Sequence, residues 1–537
     1  MREAGAAITL VFVLALAGCG AKVMRPTCQA GEVCLEYGNS SDPTSLDPQK
    51  ISLVTEAVIL GDLMVGLVED GPDGAAVPGI AQSWETSADG LVWTFHLRQA
   101  NWSDGVPVTA DDFVFAYRRI LAPRTASNYA YMLSILRNGA EINAGRADPS
   151  TLGVRAVDAH TLELTLTHPA PYLPQLFKHH STYPVPRHAV ERWGDAWARP
   201  AHYVSDGPYL PTSWALGDHI EVVKNPRFYD AAHVCIDKID YSPTADAISA
   251  ERRVKRGELD INTSIQSNRV PYLRQPGQMP RYVRIQPYLG SVYMVFNTRD
   301  VPPLRDVRVR RALSMAIDRE FIARQLLRAG QQPAYAFVPP GVANYRPGAH
   351  VDWADWPLAR RQAEARRLLA AAGYGEGHPL SLEMKLPNTS DAMLQTPAIQ
   401  ADWKAVGARI TLVQNEGQIA YEALNIRDFQ IGFASWAGDY NDPMTFLELM
   451  QSKTGAQNYG DYNNPAYDAL LERADHEPDG GKRAAILVQA EQTMLDDVAV
   501  APVYFTVSRN LVSPRITGWT GNLLDTHRAR YLCVTGR

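Results

Sequence analysis

A chain of 537 residues is too long for one hydrophobic core and implies two to four domains. Its 46% apolar and 20% charged residues exclude disorder and fit a globular protein. A formal net charge of -6 argues against a phosphate-backbone partner, so nucleic acid is not expected.

The N-terminus comes first. Ile8 to Leu16 is apolar apart from Thr9, sits behind Arg2 and Glu3, and stops at Leu16-Ala17-Gly18-Cys19. This is a signal-peptide h-region, far short of the ~20 residues that a spanning helix needs, and no later stretch reads as a membrane span. The stretch resembles a bacterial lipobox, which implies removal of residues 1–18 and acylation of Cys19, anchoring the protein on the extracytoplasmic face of a membrane. Apart from Cys19, the cysteines are Cys28, Cys34, Cys235 and Cys533, an even number without a C-x-x-C pair. Three pairings are possible. Cys28 and Cys34 are near enough to close a small ring, and Cys235 and Cys533 each adjoin a short apolar run that could form neighbouring strands.

Strands and helices then interleave without internal repeats, which points to an α/β or α+β class. Leu91, Trp93, Phe95 and Leu97 alternate with polar residues, as do Leu162, Leu164 and Leu166, giving strands with one buried face. Asp111-Asp112 opens a helix carrying Phe113, Phe115 and Tyr117. His179-His180, flanked by Pro174, Pro184 and Pro186, reads as a loop with an exposed or structural role, and no metal site is expected. Asp306 caps a helix whose Val309, Leu313, Ile317 and Phe321 recur every fourth residue up to Gly330. Pro357 and Gly373 bracket another, and Asn464-Pro465 is a cap with proline in the first turn. The arginine clusters at 305–311 and 360–367 fall at helical spacing and read as solvated faces.

Catalytic patterns are missing. The sequence contains no H-E-x-x-H, G-x-S-x-G, G-x-G-x-x-G or glycine-lysine phosphate loop, so neither an enzyme nor a cofactor is expected.

Two distant segments carry the functional signal: Ser45-Leu46-Asp47-Pro48-Gln49 and Trp436-Ala437-Gly438-Asp439-Tyr440-Asn441-Asp442-Pro443. Between them lie Pro78-Gly79-Ile80-Ala81, Trp93-Thr94-Phe95-His96-Leu97-Arg98, Trp102-Ser103-Asp104-Gly105, Gly207-Pro208-Tyr209, Lys224-Asn225-Pro226 and Ala316-Ile317-Asp318-Arg319, with Tyr462-Asn463-Asn464-Pro465 beyond. This ordered series resembles the extracytoplasmic oligopeptide-binding proteins of ABC importers, the family 5 bacterial solute-binding proteins. The resemblance implies a periplasmic binding protein-like α/β fold, two lobes joined by a hinge, with an extra inserted domain. Domain I would gather 19–60, 187–289 and 505–537, domain II would be 61–186, and domain III 290–504. A peptide would lie between domains I and III and be enclosed by hinge closure. Asp439 would pair with the peptide ammonium. Trp436, Tyr129, Tyr293 and Tyr504 would supply aromatic walls, Ser264 a polar contact, and the main chain around Val54 and Ala434 to Ala437 would pair with an extended peptide. Partners would then be an oligopeptide, the permease and ATPase subunits of an importer, and a membrane reached through the lipid anchor, with the protein itself monomeric.

Some positions depart from the family pattern. Where some relatives carry His or Arg for the ligand carboxylate, this sequence has Met393, Leu424 and Phe433, and a disulfide of some relatives would need cysteines at Gly290 and Ala437. The ligand's C-terminus is therefore expected to reach solvent, with Leu424 and Phe433 offering apolar surface. The same fold family carries murein peptides, nickel chelates, haem and oligosaccharides; outside it, a periplasmic peptide hydrolase or a chaperone-like sensor is the rival class.

Overall fold

The computed structural model describes residues 28–346 and 348–536, so the leader and Cys19 lie outside the described residues. An eleven-stranded mixed sheet runs through the molecule. Its path takes Ala408–Asn415, Leu380–Pro387, Ile431–Ala437, Val283–Phe296, Val500–Val512, Ile261–Asn262, Cys34–Gly38, Lys238–Ser242, His219–Lys224 and Tyr209–Ala215, with Gln332–Pro333 paired onto Val500–Val512. Val283–Phe296 and Val500–Val512 are antiparallel and 14 and 13 residues long, and they carry the sheet from one lobe into the other. Their ladder shifts register between Pro287 and Ser291, a bulge that bends the crossing. The expected domain boundaries after 289 and 504 fall inside these two strands.

From Leu289 to Phe296 the first of them is buried at every position, because both faces are covered. Val292, Met294 and Phe296 face a core with Leu313 and Trp403, while Tyr293 and Val295 face another with Phe446 and Leu487. A separate four-stranded sheet, Ala81–Thr86, Val92–Leu97, Thr161–Thr165 and Val154–Asp158, belongs to the inserted region. Its inward residues Phe95 and Leu164 share one continuous core with Leu35, Tyr241 and Val512 of the first lobe. The helix Ala110–Leu121 covers this core, and Asp112 caps it by accepting from the Thr109 N–H at 2.9 Å.

One helix differs from expectation. Asp306 does cap it, accepting from the Arg308 N–H at 2.9 Å, but the helix ends at Ala316 and Ile317 is extended. Asp318 then caps a fresh turn and a π-helical segment, Ile322–Leu327, follows. The break serves Arg319, whose buried guanidinium donates to the carbonyls of Ser314 (2.7 Å), Ala334 (3.0 Å) and Pro502 (2.8 Å). A fourfold apolar period does not register a buried cation of this kind. Leu358–Ala371 ends before Gly373, whose φ of +94° suits a residue without Cβ, and Asn464 caps Pro465–Asp475 through the Ala466 N–H at 2.9 Å.

The structure joins Cys28 to Cys34 and Cys235 to Cys533, with Cα separations of 6.0 Å and 5.4 Å. Among the described residues no helix is long and apolar enough to cross a membrane.

Candidate functional site

The helix Val54–Leu63 begins at the end of a loop gathered around Glu56. That carboxylate accepts from the Thr44 N–H at 2.7 Å, the Ser52 N–H at 3.0 Å and the Leu53 N–H at 2.9 Å. The staple fixes the loop and leaves Val54 62% exposed at the helix start, facing the opposite lobe. Across from it stands the segment after Ile431–Ala437. The Gly438 N–H donates to Leu289 O at 2.8 Å, and an added Cβ there would meet Leu289 at 2.8 Å, so the chain needs glycine for this approach. The next turn is held by Asp442, which is fully buried in a bidentate pair with Arg483 at 2.8 Å, and by Tyr440, which stacks on Tyr172 of the inserted region. These anchors set the position of Asp439.

A cavity of about 120 Å³ lies between the two, walled by Val54, Tyr129, His179, His180, Ala437 and Asp439 and further by Tyr288 and Arg528. Asp70, Lys178 and Arg528 also border it. Asp70 takes Lys178 at 2.9 Å and Arg528 at 2.7 Å; burial alone would push its carboxyl up, but the two cations outweigh it and hold it below the ordinary value. Asp439 is different. Its side chain receives the Tyr131 hydroxyl at 2.8 Å, and among the described residues no cation lies within 4.0 Å of it. Burial pushes its carboxyl up to about 6, offset in part by the Tyr131 hydrogen bond. Glu448 nearby is pushed up to about 8 by burial and then by the Asp439 charge, so it remains protonated at neutral pH and Asp439 carries the negative charge.

His179 and His180 are not loop-surface residues. They pack against Tyr129, His179 tilted at a ring separation of 4.5 Å and His180 edge-on at 5.4 Å, and form one wall of the cavity. Burial pushes His179 down to about 3 and holds His180 well below the ordinary histidine value, so both are neutral and add no competing positive charge. Their proline-rich setting conceals this in the sequence. Tyr131, Tyr288 and the Asp70–Lys178–Arg528 cluster also went unpredicted. Of these only Tyr131 had a local hint, two residues after Tyr129.

The structure brings Val54, Tyr129, Ala437 and Asp439 together and leaves other expected contacts elsewhere. Tyr293 is fully buried, edge-on to Phe337, because its strand position points into a core. Phe433 is 8% exposed and Leu424 2% exposed, both consumed by core packing, so neither offers the apolar surface expected of it. Tyr504 is buried under the Gln395 amide, which donates to its hydroxyl at 3.1 Å. Trp436 packs against the core with Tyr293, and Ser264 follows Ile261–Asn262, its carbonyl accepting from Asn262 Nδ2 at 2.7 Å. None of these six walls the Asp439 cavity.

Ile431–Ala437 pairs with Leu380–Pro387 only through Ile431 and Gly432, so among the described residues no strand covers that edge from Phe433 to Ala437. Such an edge can accept an added extended chain. Gly290 and Ala437 lie directly opposite in register, and a Cβ on Gly290 would meet Thr506 Oγ1 at 2.4 Å. At the other end of the cleft, Arg509 Nη1 reaches Asp391 at 2.8 Å, and Ser267 of the first lobe donates to the same carboxylate at 2.8 Å.

Two lobes joined by two long strands, with a charged cavity where they meet, define a hinged binding protein. The model of bacterial extracellular solute-binding proteins, family 5 Middle, matches residues 75–458. The periplasmic oligopeptide-binding protein OppA of Salmonella typhimurium is 36% identical over 527 residues, 96% of this chain and 95% of that protein. A structure of the Escherichia coli murein tripeptide binding protein MppA superposes with a TM-score of 0.86 at 33% identity, over 95% of this chain and 100% of the other. The unliganded open form of MppA gives 0.77, over 94% and 98%. The chain belongs to the family 5 bacterial extracellular solute-binding proteins. The lower agreement with an open form accords with the Tyr131–Asp439 and Ser267–Asp391 contacts that bridge this cleft.

Proposed function

We propose that this protein is the receptor of an ABC importer for oligopeptides, holding the peptide ammonium on Asp439 and delivering the ligand to a membrane permease. One observation carries the proposal: Asp439 is a carboxylate in the interlobe cavity with a neutral donor and no cation within 4.0 Å among the described residues. A buried anion without a counter-charge is costly, and an ammonium supplies what it lacks. The oligopeptide binding recorded for the Salmonella relative supports the same ligand class. The open edge from Phe433 to Ala437 supports main-chain pairing, which gives affinity indifferent to side-chain identity. Touching both lobes, such a ligand shifts the population toward the closed form.

The finer parts belong to the same proposal. Domains I, II and III keep the boundaries given above, the two long strands acting as hinge. Residues 1–18 are a signal peptide, Cys19 is acylated, and the mature monomer sits on the periplasmic or extracytoplasmic face without hydrolysing its cargo. Blocked fatty-acid incorporation in Cys19→Ala tests the anchor, and unchanged incorporation refutes it. Mass spectrometry of ligands released by denaturing the purified protein tests the function. Intact peptides with free N-termini are expected. Recovery only of solutes without a primary amine, or of cleavage products after incubation with peptides, overturns it.

A further inference from the structure

We infer that a second cavity, on the hinge strands, is a binding site for an amphipathic organic anion, an apolar body carrying one carboxylate. The cavity has a volume of about 600 Å³ and opens on Val283–Phe296 and Val500–Val512 where their ladder shifts register. It meets the Asp439 cavity at Tyr288 but includes none of Val54, Tyr129, Ala437 or Asp439.

Its chemistry is divided. Ile285, Phe505, Val507 and Leu523 form an apolar wall, each only partly covered by protein. Arg274 and Gly330 stand at one end and also line an adjoining cavity of about 350 Å³, where Arg324 and Arg328 join them. Arg324 is paired with Glu320 at 3.0 Å, whereas among the described residues Arg274 and Arg328 have no carboxylate within 4.0 Å. Three guanidinium groups against one carboxylate leave a local positive excess beside an apolar hollow. A ligand that satisfies both has its hydrocarbon against Phe505 and Val507 and its anionic head at Arg274 and Arg328. A small hydrophilic anion would leave the apolar wall wet, and a cationic amphiphile would meet like charge.

The site also has a mechanical consequence. Pro340 and Gly341 of the second lobe line it together with Arg274 of the first, so an occupant touches chain on both sides of the hinge and is coupled to lobe closure. Nothing here rests on the peptide reading, since the two cavities use different residues apart from Tyr288.

Calorimetric titration of the full mature chain, stripped of bound ligand, tests it with dodecanoate as the probe and with decyltrimethylammonium and inorganic phosphate as comparators. Saturable binding of one dodecanoate per chain is expected, weakened about tenfold in the exposed double variant Arg274→Ala/Arg328→Ala, with peptide affinity in that variant unchanged. Both comparators should bind at least about tenfold more weakly. Failure of dodecanoate to saturate, equal binding by the double variant, equal binding of either comparator, or simple competition with a saturating peptide would each overturn the assignment.

Discussion

The hydroxyl of Tyr131 donates to Asp439 Oδ2 at 2.8 Å, linking residues 308 apart in the sequence and on opposite sides of the cleft. A neutral donor orients the carboxylate without cancelling its charge. Asp439→Asn is therefore expected to weaken peptide binding by about a hundredfold, on the order of 3 kcal/mol, because a desolvated ammonium loses its counter-charge. Acetylating the peptide N-terminus should cost the natural protein as much, yet cost the Asn variant little more. Calorimetry on the four combinations checks this, and equal affinity for free and acetylated peptides removes Asp439 from the site. Tyr131→Phe should cost only about 1 kcal/mol, since a single hydrogen bond is lost and the charge remains.

A pH dependence follows from the Asp439 carboxyl at about 6 in the empty protein. The ammonium needs the ionised form, so affinity should be constant above that pH and fall about tenfold per pH unit below it. Binding near pH 5 should release close to one proton, seen as a difference in heat between two buffers. Stability has the opposite sign. Because the folded value lies above the unfolded 3.8, the folded state holds the extra proton, and the empty protein loses stability as pH rises from about 4 to 6. Asp439→Asn removes that cost, so its empty form should melt higher than the natural protein at pH 7. A lower melting temperature at pH 7 would contradict the linkage.

Patterns confined to a few neighbouring residues were legible in the sequence. The alternation through Trp93, Phe95 and Leu97 is clear because that sheet buries one face, and the Asn464 cap is clear because it acts on the next two N–H groups. The resemblance located Val54, Tyr129, Ala437 and Asp439 in one place because it fixes positions across the whole chain. What it could not give was depth. Tyr293, Leu424 and Phe433 sit at matching positions, but their side chains are absorbed by cores whose other members, such as Phe446 and Leu313, are distant in sequence. Tyr131 and the His179-His180 wall depend on partners from another lobe or turn, which no local period encodes.

The two disulfides differ in how much chain they restrain. Cys235 and Cys533 are 298 residues apart and tie the C-terminal segment to the first lobe, while Cys28 and Cys34 are 6 apart. Chain entropy gives the long bridge at most about 5 kcal/mol and the short one about 2 kcal/mol. Serine replacement of the Cys235 and Cys533 pair should lower the melting temperature more than replacement of the other pair. Peptide mapping without reductant should find both bridges, and four free thiols would refute the pairing.

The last prediction concerns the end of the cleft away from Asp439, where Met393, Leu424 and Phe433 provide no cation. Arg509 is close by, but it is paired with Asp391 at 2.8 Å, and the pair is only partly exposed, 27% and 21%. Ser267 also donates to Asp391 at 2.8 Å, so this carboxylate of the second lobe is held by two residues of the first. A ligand carboxylate seeking Arg509 would have to displace Asp391, exchanging one charge pair for another with little net gain. The natural protein should therefore discriminate less than about threefold between matched free-acid and amidated peptides. Asp391→Asn frees the guanidinium and should create a preference for free acids of about tenfold, strongest for short peptides whose C-terminus falls near it. Dissociation constants for acid and amide pairs of three to eight residues, measured on both proteins, decide the matter. A tenfold or larger acid preference already present in the natural protein would mean that Asp391 yields Arg509 to the ligand, and an unchanged ratio in the variant would place the ligand's C-terminus away from Arg509 altogether.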